Sequence, residues 1–539
     1  MSFANAHPLG ADLLTTLVFL PTLGALVLAL FPGSSKLAPK AIGLATSLLT
    51  FGVSVLLYRG FDTATSAPVA FAIDRPWIPR FGIRYQLGVD GLALALVLLT
   101  TILTVSVLLV SCGQTIEKLK GYVVAFLLLE TGMLGSLVAL DTLLFYVFWE
   151  VMLVPMYFII GVWGGKRRIY AAMKFILFTL VGSLLMFVAI LYTANVHLNA
   201  TGLQSFSLAD WTRAASSGAW NLAPGTEALL FGAFALAFLV KVPLWPLHTW
   251  LPDAHVEAPT GGSIILAGVL LKLGTYGLLR FAYPLFPHAA ARYGPLLAVL
   301  ALVGIVYGAL VAAAQKDMKK LVAYSSVSHL ALVVLGIVAG TGAALSGAVF
   351  QMVGHGLTTG LLFLLVGVLY ARRHTREMAD YGGVAARVPV TTALFLIATL
   401  GSVGLPGLNG FVGEFLLLGG VFQVNVAWAA IAATGMIFGA IYLLTLVQKV
   451  FWGAESVAAN RSLTDINAWE LAGAFPLVVL IVLLGIFPRP LLALVDGSVK
   501  TLQRASTPAA AKGAPPAGDA AFRRFESHAV PAARTVAAR

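Results

Sequence analysis

One cysteine, Cys112, stands in 539 residues, which excludes an internal disulfide and any cysteine-held iron–sulfur cluster. Electron transfer within the chain is therefore not expected. Charge is scarce as well: 10% of the residues are charged against 59% hydrophobic, a balance that excludes a soluble globular enzyme. The sequence has no G-x-G-x-x-G after a strand, no Walker sequence and no Ser/His/Asp arrangement. It thus shows no means of using ATP, NADH or a hydrolysable substrate.

What the chain has is apolar runs of about 20 residues, the length at which a helix crosses a hydrocarbon core, with a mean hydropathy of +0.93. They predict an all-α polytopic membrane protein of roughly 14 spans. The runs fall at 12–31, 40–58, 91–112, 121–140, 141–163, 170–194, 226–251, 262–281, 294–315, 321–340, 344–371, 390–422, 427–452 and 470–495. The first lacks a positive leader and a clear small-residue cleavage site, so it reads as a retained span. From 505 to 539 the composition turns to Ala, Pro and Arg, which cannot bury a core and reads as a disordered tail.

The net charge of +12 does not signal nucleic acid, because the basic residues are scattered through short loops. Lys36, Lys40, Lys118, Lys120, Lys166, Arg167, Arg168, Lys316, Lys319, Lys320, Arg372, Arg373, Arg376, Arg387, Lys449 and Arg461 collect on one side of the predicted bilayer. The positive-inside rule makes that side cytoplasmic and puts both termini opposite. Arg59, Arg75, Arg80 and Arg84, in one loop, lie against that assignment.

Two runs are interrupted by breakers: Pro243 and Pro246 in VKVPLWPLHTWL, and Pro406 with Gly401, Gly404, Gly407 and Gly410 in GSVGLPGLNGFVGEF. Val242, Leu244 and Leu247 align with Val403, Leu405 and Leu408 at a constant offset, the trace of a repeated transporter unit. Backbone groups freed at membrane depth survive only against protein or water. Both breaks thus imply local hydration.

Charges inside the apolar runs are the strongest functional signal, since each central one costs about 2.5–3.5 kcal/mol. Glu150, Lys241, Lys272, His329, His355 and Glu414 are such residues. Glu150 follows Asp141 by nine positions, hence lies roughly 13 Å into its span. Lys241 is the expected partner of Glu150, a pair that can be made and broken. Lys272, His329 and His355 would continue a relay toward Glu414, histidine being able to take and release protons near neutrality. The plainer alternatives are a protonated Glu150 bonded to a neighbouring helix and core histidines bonded to carbonyls.

Glu130 and Lys174 rank second, being nearer span ends or able to snorkel. His248, Asp253, His255 and Glu257 are ligand-type residues without a zinc motif, so a polar loop is the better reading and no metal is expected. Haem ligation by His329 and His355 has no supporting feature.

The stretches FYVFWEVMLVPMYFIIGVWGG around Glu150, KVPLWPLHTWLPDAHVEAPTGGSIILAGVLLKLGTYGLLRF around Lys241 and Lys272, and KKLVAYSSVSHL around His329 resemble the proton-pumping antiporter-like subunits of respiratory complex I, from about 85 to 455. Glu414 resembles the M-type branch, because L and N types carry Lys there. The resemblance implies 14 helices with two inverted five-helix repeats, each with a broken helix. Helices 1–3 would fill 1–120, the repeats 121–281 and 282–455, and a last helix 456–504.

It further implies Glu150 and Lys241 as a coupled pair, Lys272 with His329 or His355 as the central relay, Glu414 as the outlet group, and His248 among the second-rank residues. Proton translocation would be driven by quinone reduction elsewhere. NADH, FMN, iron–sulfur clusters and quinone would sit on other subunits, with no cofactor in this chain. L-like and N-like neighbours would flank it in a bacterial inner membrane, both termini periplasmic. The rivals are a subunit of a multisubunit Na⁺/H⁺ antiporter or membrane-bound hydrogenase, and a passive membrane scaffold.

Overall fold

The computed structural model describes residues 11–32, 35, 37–63, 69–455 and 457–506. All but the first two residues of the expected tail lie outside these, and those two close a helix.

Helices α1 (Ala11–Leu30) and α2 (Leu37–Gly60) lead to a hairpin, β1 (Ala70–Ile78) and β2 (Ile83–Val89). Next come α3 (Gly91–Cys112), α4 (Leu119–Val138), α5 (Thr142–Val151), α6 (Leu153–Trp163), α7 (Arg168–Thr201) and α8 (Leu208–Ser217). A first broken span consists of α9 (Pro224–Lys241) and α10 (Trp250–Glu257). The following span joins α11 (Thr260–Ile265), α12 (Leu271–Gly277) and α13 (Tyr283–Leu285) through wide π turns at Leu266–Leu270 and Leu278–Ala282. Then follow α14 (Pro287–Ala313), α15 (Met318–Ala339) and α16 (Gly342–Arg373). The second broken span is α17 (Pro389–Val403) with α18 (Asn409–Phe422), and α19 (Val426–Phe451), α20 (Ala468–Ile486) and α21 (Arg489–Ser506) complete the described chain.

Thirteen helical spans among the described residues are long and apolar enough to cross a membrane, and α17 with α18 supplies two shorter apolar helices in the place of the expected run 390–422. The interrupted spans are the seventh and twelfth in order, so in an alternating chain they cross in opposite directions. The expected final span 470–495 is corrected: α20 stops at Ile486 before Pro488, and a separate helix begins at Arg489. Helix α21 buries Leu491, Leu494, Val495 and Leu502 and exposes the Asp496–Lys500 pair, as an amphipathic helix lying on the bundle does.

The hairpin was not foreseen. It turns at Gly82, where φ is +68° and a Cβ would lie 2.3 Å from the Gln204 carbonyl oxygen, a position open only to glycine. Asp141 fixes the hairpin to the bundle, accepting from Arg84 N at 3.1 Å while it caps α5 through Leu143 N and Leu144 N at 3.0 Å.

On the basic-rich face Asp465 anchors the start of α17. It accepts from Val390 N at 2.7 Å, Thr391 N at 3.0 Å and the Thr391 hydroxyl at 2.6 Å. Partial burial pushes its carboxyl up, but the Thr391 hydroxyl and the amides of Ile466, Thr391 and Val390 outweigh this and hold it below the usual carboxylate value. A depressed folded value means that the anchor is intact above the unfolded value of about 4 and is lost as pH falls through the lower folded one. Asp465→Asn is therefore expected to flatten the acid limb of a melting-temperature-against-pH curve. An acid limb identical to the parent's would remove Asp465 from that role.

Candidate functional site

At each proline break a backbone amide reaches back, Leu244 N to the Leu239 carbonyl at 2.9 Å and Leu405 N to the Leu400 carbonyl at 3.0 Å. At the first, Trp250 Nε1 donates to the Val240 carbonyl at 2.9 Å. At the second, Asn409 Nδ2 ties the break to α16 by donating to the Gly354 carbonyl at 3.2 Å, and Gly410 approaches so closely that a Cβ would meet the Gly401 oxygen at 1.9 Å. A third break divides α5 from α6 at Met152. Pro155, which lacks the N–H that would reach Val151, was its sequence signal. Glu150 lies just before that break and Lys241 just before the next.

Glu150 and Lys241, expected as a pair that can be made and broken, stand here without a direct ion pair among the described residues. The buried Lys241 ammonium instead donates to Met152 Sδ at 3.4 Å and sits 3.7 Å from the centre of the Trp149 ring, a cation–π contact. Glu150 stays within electrostatic reach, but its Oε1 has no hydrogen-bond partner. The two side chains thus stand near one another without a direct hydrogen bond.

Lys272, 1% exposed, lies between the two π turns. Its ammonium donates to the Ala267 carbonyl in the first of them and to His355 Nδ1 at 2.8 Å. The His355 and His329 rings are 5.6 Å apart, and His329 Nδ1 meets Glu414 Oε1 at 3.1 Å. Gln351 Nε2 donates to the same oxygen at 3.2 Å. The other carboxylate oxygen, Oε2, has no partner and packs where a Cβ on Gly404 would come within 2.6 Å.

Four of the six first-rank residues thus form one buried line, Lys272, His355, His329 and Glu414, contributed by α12, α16, α15 and α18. Lys241 and Glu150 form a second group. No hydrogen bond among the described residues joins Lys241 to Lys272.

The second-rank residues separate. Glu130 is not near a span end: it sits midway along α4, 0% exposed, with both carboxylate oxygens unpartnered. Lys174 pairs with Asp253 at 2.7 Å near the basic-rich face. His248 is buried, edge-on to Tyr307 at 5.3 Å, with Nδ1 unpartnered.

The polar-loop reading of 248–257 is corrected, because α10 occupies Trp250–Glu257 and His255 is fully buried, stacked on Phe363 at 4.5 Å. Among the described residues no three His, Cys, Asp or Glu side chains converge as a metal site. Lys319 and Gln351 escaped the sequence reading. Lys319 reads as a loop residue beside Lys320, yet it is buried and donates to the Ala258 carbonyl at 2.6 Å. Gln351 carries no charge to draw notice. A cavity of 850 Å³ opens next to Lys319 on the basic-rich face, lined also by Tyr122, Glu257, Thr260 and Arg372.

An all-helical bundle with two oppositely directed broken spans and titratable groups buried at both defines an antiporter-type membrane subunit. The family model described as NADH:quinone oxidoreductase/Mrp antiporter, TM, matches residues 139–439. The chain is 46% identical over 499 residues to NADH-quinone oxidoreductase subunit M of Rhodobacter capsulatus, covering 91% of this chain and 96% of that one. It is similar to a chain of respiratory complex I from Thermus thermophilus with bound NADH, with a TM-score of 0.80, 35% identity and coverage of 91% and 99%. A chain of the Mrp complex from Dietzia sp. DQ12-45-1b shares the fold, with a TM-score of 0.77, 20% identity and coverage of 91% and 98%. The chain belongs to the NADH-quinone oxidoreductase subunit M family.

Proposed function

We propose that this chain moves protons across the membrane within an NADH:quinone oxidoreductase, driven by quinone reduction on other subunits. The observation that carries this reading is the buried line from Lys272 through His355 and His329 to Glu414. Its polarity suits proton transfer. With Lys272 donating to His355 Nδ1, the His355 proton lies on Nε2. With His329 Nδ1 donating to Glu414, His329 Nε2 presents a lone pair. Both Nε2 atoms lack partners, so a free donor on one ring stands near a free acceptor on the next.

A proton leaving Lys272 enters His355 at Nδ1 as another leaves Nε2 toward His329, whose Nδ1 proton passes to Glu414. Each imidazole returns to a neutral form by taking one proton and giving one. Lys241 and Glu150 act upstream: closing their gap would hold charge on both, and opening it frees Lys241 to give up a proton.

The single cysteine supports placing the iron–sulfur clusters on other subunits, and the missing nucleotide-binding motifs support the same for NADH. FMN and quinone would lie there too, and the resemblance to complex I supports L-like and N-like subunits as neighbours. The basic-rich face supports an inner-membrane orientation with both termini periplasmic.

In the assembled complex, Glu150→Gln and Lys241→Met are each expected to lower proton pumping per NADH oxidised by most of its value. Pumping at the parent level in both variants would favour the passive-scaffold reading instead.

A further inference from the structure

Glu130 is a fully buried carboxyl that the relay above does not use. Both of its oxygens lack partners. The Thr104 hydroxyl lies alongside, but it donates to the Thr100 carbonyl at 3.0 Å. A charge at 0% exposure is costly unless it is matched, so the surroundings of Glu130 decide what it can do.

Those surroundings follow from two fixed points on α4. Near the basic-rich end, a Cβ on Gly261 would meet the Tyr122 hydroxyl at 2.5 Å and the Phe126 ring at 3.2 Å. Near the other end the Tyr276 hydroxyl donates to the Leu137 carbonyl at 2.8 Å. Tyr122, Phe126, Glu130 and Leu137 recur at the spacing of one helix face. Along this face α4 therefore runs beside the span from Gly261 to Tyr276, and Glu130, between the fixed points, stands at the depth of the π turn Leu266–Leu270. Helix α3 agrees with this placement: Leu103, next to Thr104, lies 2.4 Å from where a Cβ on Gly268 would be. The same π turn offers the Ala267 carbonyl that holds the Lys272 ammonium.

We infer that Glu130 is a second proton-exchange partner of Lys272, reached past the π turn Leu266–Leu270. In the exchange the Lys272 ammonium gives one proton through a bridging water to the Glu130 carboxylate. A neutral amine and a neutral carboxylic acid result, and the reverse step restores both charges. Lys272 then stands between two acceptors, His355 on the route to Glu414 and Glu130 on α4. The π turn supports this geometry, because a wide turn loosens the backbone hydrogen bonds around Ala267. This inference rests on the relay reading and adds a residue to it.

The test uses the assembled complex in vesicles, comparing Glu130→Gln, Glu130→Asp and Lys272→Met for protons pumped per NADH oxidised. Loss of most pumping in Glu130→Gln, with substantial recovery in Glu130→Asp, is the expected result. Parent-level pumping in Glu130→Gln beside a failed Lys272→Met overturns the role of Glu130 and leaves the relay standing. Parent-level pumping in Lys272→Met overturns both. Infrared difference spectra on NADH reduction supply a readout that a packing role would not move. If Glu130→Gln does not assemble, the carboxyl band must still shift between the parent and Glu130→Asp, and an unshifted band overturns the inference.

Discussion

Lys272→Met abolishes proton pumping while leaving the protein at least as stable as its parent. The two halves of this expectation have separate causes. Methionine is close to lysine in length and fills the same apolar slot, but it can neither hold nor pass a proton. His355 loses its partner at Nδ1, and the line to Glu414 has no source. Stability moves the other way, because the ammonium at 1% exposure has a carbonyl and an imidazole in direct contact but no carboxylate. An ammonium buried without a counter-charge in contact carries a desolvation cost, and removing it offsets the two hydrogen bonds lost. Pumping in vesicles and the melting temperature of the purified complex check the two halves together. A large drop in melting temperature would recast Lys272 as a structural residue.

Asp90→Ala is expected to have the largest effect on stability. Asp90 caps α3, accepting from Ala93 N at 2.9 Å, and its Oδ1 also accepts from Arg280 at 2.6 Å, with side-chain exposures of 13% for Arg280 and 9% for Asp90. Arg280 in turn donates to the Tyr276 hydroxyl at 3.1 Å. Removing the carboxylate leaves a buried guanidinium without its counter-charge, which costs about 3–5 kcal/mol, and loses the cap, worth about 1 kcal/mol. Thermal denaturation of the complex reads this directly. The double variant Asp90→Ala with Arg280→Met should recover much of the loss, since it removes the stranded charge. No recovery would show that the cap or the local packing dominates.

The residues of the buried line were conspicuous in the sequence because each is a lone charge or imidazole in a run of apolar neighbours. Their pairings were not. His329 and Glu414 lie 85 residues apart in the chain, and nothing local to either indicates that α15 and α18 bring them together. Lys241 was paired with Glu150 by charge and by resemblance, while its contacts with Met152 and Trp149 are ones that a charge count cannot weigh.

Span positions were legible from hydropathy, since composition sets them. The π turns flanking Lys272 were not, because Gly268, Gly274 and Gly277 read equally well as packing glycines. Pro155 was legible in principle, but in a run flanked by Met, Leu and Tyr it drew less notice than the double prolines at 243 and 246. Depth was the hardest quantity to read: Glu130 and Lys319 differ from surface residues only in what surrounds them.

The spans Thr260–Leu285 and Gly342–Arg373 are buried throughout their apolar windows, and they carry Lys272 and His355. In the folded chain both are enclosed by other helices on every side, so their final places depend on helices made before and after them. During synthesis Lys272 enters the bilayer before its imidazole partner, 83 residues later, has been made. Until then the cost of that charge, about 2.5–3.5 kcal/mol, falls on the apolar remainder of its own span and on the helices already made.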